Sequence, residues 1–137
     1  MINTNINIAY FSAEIGISSS LPTYSGGLGV LAGDHIRAAA DIETHMCAIT
    51  LLYREGYYKQ HLDEVGTQSE TYPRFDPYPL LEKLDIKIKV RLRERDVVVH
   101  AYKLDYIGVT GHIVPIYFLD TYVEENIKDD QIISLRL

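Results

Sequence analysis

Ser25-Gly26-Gly27-Leu28-Gly29 is the run of this 137-residue sequence best suited to chemistry. Glycines this dense let the main chain approach a ligand closely. Where such a run opens a helix, the free N–H groups of the first turn favour an anion. The spacing is neither G-x-G-x-x-G nor G-x-x-x-x-G-K-[ST], so neither the dinucleotide nor the P-loop motif is present. Two readings fit: an anion or sugar contact, or a tight strand-to-helix turn that needs glycine for packing. Glu14 lies upstream, just past a predicted first strand. In a parallel sheet that is the carboxyl edge, where α/β proteins hold ligands; the plainer reading is a solvated loop carboxylate. The tract from Tyr53 to Gln60 mixes aromatic faces with polar heads, a combination suited to sugar rings. Tyr53, Arg54 and Tyr57 are its candidates for lining a cleft, and an ordinary hairpin with a glycine turn is the alternative.

Other chemistries are poorly represented. His35, His45, His61, His100 and His112 show no H-E-x-x-H or close ligand spacing, so no metal site is expected. No serine occupies a G-x-S-x-G elbow. The single cysteine, Cys47, lies in an apolar run and reads as a buried small hydrophobe; alone it excludes an internal disulfide. Thirteen basic against nineteen acidic residues give a net charge of −6. An acidic chain without a basic tract is a poor partner for nucleic acid or anionic membrane. No apolar run reaches the ~18 residues of a membrane span, and Met1-Ile2-Asn3-Thr4-Asn5 lacks the basic start of a signal peptide. The expectation is a cytoplasmic domain that binds neither nucleic acid nor membrane.

The elements that must position these residues follow from periodicity. Asn5–Phe11 reads as a first strand and Ser12–Gly27 as a punctuated loop. Leu28, Leu31, Ala32, Ile36 and Ala39 recur at helical spacing up to about Asp41, with Asp34 and His35 assigned to the first turn. Met46–Tyr53 is a continuous apolar run, as in a strand buried on both faces. This order predicts one β-α-β unit with a parallel pair. Beyond it, Tyr57–Leu62 reads as a short strand and Asp63–Leu80 as loop. Ile86–Leu92 alternates apolar and charged residues, a strand with one solvated face. Arg93–Asp96 turns it into a strand at Val97–Asp105. His112–Leu119 is a further strand, where Pro115 points to an edge or a bulge, and Glu124–Asp130 reads as acidic loop.

Three blocks carry a family likeness. Ile8-Ala9-Tyr10-Phe11-Ser12-Ala13-Glu14, the stretch Leu21-Pro22-Thr23-Tyr24-Ser25-Gly26-Gly27-Leu28-Gly29-Val30-Leu31-Ala32-Gly33-Asp34-His35, and Leu51–Tyr57 resemble the N-terminal domain of the bacterial and archaeal α-glucan (glycogen, starch, maltodextrin) phosphorylases. Val114–Thr121 adds to the likeness. The resemblance implies an α/β fold that is part of a Rossmann-like N-terminal domain of a two-domain GT-B glycosyltransferase, with additional antiparallel strands in the second half. Residues 1–137 would then be a single incomplete domain, without the C-terminal cofactor-binding domain. The implied reaction is phosphorolysis of α-1,4-glucan to glucose 1-phosphate, with glucan and phosphate as ligands. The family uses pyridoxal 5′-phosphate, whose attachment lysine has no counterpart in this chain. Gly26, Gly27 and Leu28 match the loop whose backbone lies at the phosphate and the transferred glucose, and Glu14 matches an acidic residue close to it.

Three departures stand out: Ser18-Ser19-Ser20 before Leu21-Pro22, Gly66-Thr67-Gln68 where the family usually carries Gly-Trp-Gln, and Glu43-Thr44-His45-Met46 where it has a small, glycine-rich entry to the second strand. The catalytic set is incomplete here, so the isolated chain is expected to be inactive. A missing C-terminal domain or a homo-oligomer is the expected partner. The alternatives are a non-catalytic glucan- or phosphate-binding module, or one subunit of a split enzyme.

Overall fold

A computed structural model describes residues 8–137, so the Asn5–Asn7 part of the expected first strand lies outside the described residues. The β-forming run that follows makes strand β1 (Ile8–Phe11). The glycine-rich loop then enters helix α1 (Gly27–Asp41), and the apolar run makes β2 (Met46–Leu51). β1 and β2 pair in parallel, Ile8 opposite Met46 through Phe11 opposite Ile49, as the β-α-β reading predicts. β3 (Lys59–Leu62) and β4 (Gln68–Thr71) form a separate antiparallel ribbon. β5 (Glu82–Leu92), β6 (Arg95–Ile107) and β7 (Ile113–Asp120) follow. The main sheet has five strands in the order β1-β2-β7-β6-β5. β7 lies parallel to β2 and antiparallel to β6, and β6 is antiparallel to β5. A short helix α2 (Lys128–Gln131) and a 3-10 turn close the described chain.

One core holds the layers together. Ala32, Ile36, Ala39 and Ala40 of α1 pack on Met46, Ala48, Tyr102, Val114, Ile116 and Phe118 of the sheet. Each large apolar side chain buried this way contributes about 1.5–3 kcal/mol. The loop before α1 is part of this core. Ile15, Ile17 and Leu21 are buried in it, and Gly16 N–H donates to the Gly29 carbonyl at 2.8 Å. Gly33 is required by this close approach, because a Cβ there would lie 2.2 Å from the Gly16 carbonyl oxygen.

Several expectations need correction. The Asp63–Leu80 stretch is not all loop. Asp63 Oδ1 accepts the Val65 and Thr67 N–H groups, Gly66 takes φ +83°, and this turn pairs β4 onto β3. β5 is solvated on both faces along nearly its whole length, because nothing among the described residues covers its apolar side. β7 is an interior strand rather than an edge. However, β2 pairs with it only from Ile116 onward, so at Pro115 one side of β7 is open and a missing N–H there breaks no ladder bond. The Glu124–Asp130 stretch carries the start of α2. Asp34 is in the middle of α1, paired to Arg37 at 2.9 Å, and the first turn holds no acidic residue.

Candidate functional site at the carboxyl edge of the parallel strands

The carboxyl ends of β1, β2 and β7 meet at one edge of the sheet, and β1 and β2 each hand the chain to a candidate segment there. After β1 comes Glu14. Its Oε2 accepts the Ser25 N–H at 3.0 Å, and its Oε1 accepts the Ser25 hydroxyl at 3.4 Å. This bond holds the glycine loop against the strand end. Gly26 is extended and caps α1 without a side-chain bond. The first intrahelical bond of the helix runs from Val30 N–H to the Gly26 carbonyl at 3.2 Å. The N–H groups of Gly27, Leu28 and Gly29 therefore precede the helical ladder and are available at the helix start.

The three glycines of the loop divide by role. A Cβ on Gly26 or Gly27 would meet nothing within 4 Å, whereas one on Gly29 would lie 2.3 Å from Tyr24 Cβ and 3.2 Å from Glu14 Oε2. Gly29 is there for packing, and Gly26 and Gly27 leave an open approach. Leu28 is 55% exposed beside them. Chemically, the edge offers main-chain donors for an oxyanion. Glu14 next to them is an acceptor suited to a sugar hydroxyl. Glu14 accepts from Ser25 and not from the N–H groups of Gly27, Leu28 and Gly29, so it leaves those donors free.

The segment after β2 is more rigid than a ligand loop needs to be. Tyr53 is buried, and its hydroxyl donates to the Ala13 carbonyl at 3.0 Å. Burial first, and then the nearby Glu14 charge, push that hydroxyl's pKa up. Arg54 reaches across to Asp120, the fully buried last residue of β7, and also to the Tyr102 hydroxyl at 3.4 Å. Glu55 is buried and accepts Arg136 twice, at 3.0 and 2.8 Å, with Arg74 at 3.3 Å on its other oxygen. Asp120 Oδ1 further accepts the Ser134 hydroxyl at 3.1 Å. The structure thus places Tyr53 next to Glu14, commits Arg54 to the framework, and leaves Tyr57 half-exposed at the root of the β3–β4 ribbon. Sequence reasoning missed Glu55, Asp120 and Arg136, whose pairings join positions far apart in the chain. A shallow apolar hollow lined by Phe11, Ser12, Ala13, Ile49, Thr50, Leu51 and Leu119 opens at the same edge.

No protein-family profile matches the chain. Individual proteins do. Maltodextrin phosphorylase of Thermococcus litoralis is 41% identical over 92% of the chain, and glycogen phosphorylase of Mycobacterium tuberculosis is 39% identical over 95%. This chain belongs to the α-glucan phosphorylase family. Glycogen phosphorylase of Aquifex aeolicus is a more distant member, 31% identical over 95% of the chain. The chain spans only about 15% of the length of the first two phosphorylases and 19% of the third. Its likeness is to the N-terminal portion of a phosphorylase. Among the described residues no helix is long and apolar enough to cross a membrane, and no group of three His, Cys, Asp or Glu side chains could hold a metal ion.

Proposed function

We propose that the chain supplies the N-terminal side of a cleft that phosphorolyses α-1,4-glucan to glucose 1-phosphate. The observation that carries this reading is the open glycine loop at the start of α1, with Glu14 fastened beside it at the carboxyl edge. In this reading the N–H groups of Gly27 and Leu28 face the phosphoryl oxygens, and Glu14 accepts a hydroxyl of the transferred glucose. Residues 8–137 form one incomplete domain of the Rossmann-like, two-domain type, and the opposing wall comes from outside them. Tyr53 and Arg54 stiffen the edge from behind, and Tyr57 stands at the root of the β3–β4 ribbon. The chain alone is not catalytically complete, because half a cleft cannot orient both reactants or exclude water.

Pyridoxal 5′-phosphate, which the resemblance implies, supplies a phosphate that passes protons when bound. None of the six lysines of this chain is buried, and Lys87 and Lys103 are committed to surface ion pairs. A Schiff-base lysine needs a desolvated amine, so these lysines do not fit that role.

The test is a backbone-amide NMR titration of the chain with glucose 1-phosphate. Saturable millimolar shifts at Gly26–Gly29, lost in Gly27→Val, are expected. Shifts confined to other segments would contradict the reading.

A further inference from the structure

The β3–β4 ribbon is a segment for which the site just described has no use. All eight of its strand residues are exposed, so it buries no face of its own. A lone two-stranded ribbon is marginal in water, yet this one is held firmly at its base. Gly56 N–H donates to the Pro73 carbonyl at 2.9 Å, Phe75 N–H to the Arg54 carbonyl at 2.8 Å, and the Glu55 ion pairs lock the same level. A polar ribbon fixed at its root and bare along its length has the form of a binding arm.

One face of that arm carries aromatic rings followed by planar polar groups. Tyr57 is 50% exposed, with its ring 4.6 Å from that of Tyr58. Tyr58 meets Tyr72 at 6.4 Å, edge to face. The Arg136 guanidinium stacks over one face of the Tyr72 ring at 3.6 Å. Further along, Gln60 pairs with Glu70 and Leu62 with Gln68 across the ribbon. Glu70 is oriented by Gln68 Nε2 at 3.1 Å and by the Tyr72 hydroxyl at 3.3 Å. The face therefore runs from tyrosine rings to an amide–carboxylate pair. A pyranose ring has a C–H face that suits an aromatic plane and a hydroxyl edge that suits Gln and Glu. A chain of such sugars matches both halves of the face at once. A preorganised arm also costs less to bind than a mobile one.

We propose that this face of the ribbon, with Tyr57, Tyr58, Tyr72, Gln60 and Glu70, is a second carbohydrate contact, gripping a glucan chain in addition to the contact at the glycine loop. The choice of glucan rests on the phosphorylase reading; the platform itself rests on the ribbon. The test is an NMR titration of the chain with maltoheptaose, set beside the glucose 1-phosphate titration. Shifts at the tyrosine rings and at Gln60 and Glu70 are expected, with affinity falling at least fivefold in Tyr57→Ala and in Glu70→Ala. Maltoheptaose shifts confined to the glycine loop, or absent altogether, would overturn the platform while a positive glucose 1-phosphate titration left the phosphorylase reading standing. Ribbon shifts with no glucose 1-phosphate response at the loop would support the platform and count against that reading.

Discussion

Gly26, Gly27, Gly29 and Gly33 stand within eight positions, yet the structure asks different things of them. Gly33→Ala drives a methyl into the Gly16 carbonyl and should cost about 1–3 kcal/mol, the usual cost of overpacking. Gly27→Ala meets open space and has helical backbone, so its stability should be unchanged or slightly raised. Chemical denaturation of the two variants checks this, and equal losses would refute the division between packing and approach. The carboxylates give a second residue-scale prediction. The hydrogen bond from Lys87 holds Glu125 at about 2, the bond from Arg95 lowers Asp130, and the Thr67 N–H lowers Asp63. Each has a folded pKa below its unfolded one. The stability they contribute is thus present above the ordinary carboxylate range, and it drains as pH falls from about 4.5 towards about 2. Denaturation midpoints should decline across that window, and less so in Glu125→Gln.

Elements here are tied together by charges as well as by apolar packing. The Arg54–Asp120 and Glu55–Arg136 pairs fasten the segment after β2 to the end of β7 and to the chain beyond it, so the last residues described are part of the framework rather than a tail. Asp120→Ala leaves a largely buried guanidinium without its partner and should cost about 3–5 kcal/mol. At the other end of the sheet, Arg93 and Glu94 turn β5 into β6 with φ of 47° and 67°. Replacing them with Asn-Gly suits that backbone and should stabilise by about 0.5–1 kcal/mol. A thermal melt reads both variants.

Which elements a sequence discloses depends on what holds them. The β-α-β unit was legible because strand and helix periods differ and the glycine run stands between them. β4 was not, because Gln68-Ser69-Glu70-Thr71 has no apolar alternation and is held by a turn and its partner strand. The core role of Ile15, Ile17 and Leu21 was hidden because they lie in irregular chain. Of the candidate site, Glu14 and the glycine loop were legible from residue type and position. The ion pairs behind them join residues 66 and 81 positions apart, which no local pattern reveals.

Across the whole molecule, coverage of the sheet is uneven. Strands that run parallel are normally buried on both faces. Here α1 covers one. On the other, Phe11 is 72% exposed and Ile49, Leu51, Tyr117 and Leu119 are only half-buried. An apolar face left this open favours association. Sedimentation velocity should show concentration-dependent self-association, weakened in Phe11→Asn; a monomer at every concentration would contradict it. The same unevenness fits a chain that matches about 15% of the length of full phosphorylases.

The most direct measurement replaces the matching stretch of the Thermococcus litoralis maltodextrin phosphorylase with this chain and assays release of glucose 1-phosphate from maltodextrin. An N-terminal cleft wall with the glycine loop at its phosphate site predicts an active chimera that loses activity, but not fold, on Gly27→Val. A folded chimera without phosphorolysis, or one indifferent to Gly27→Val, would contradict it.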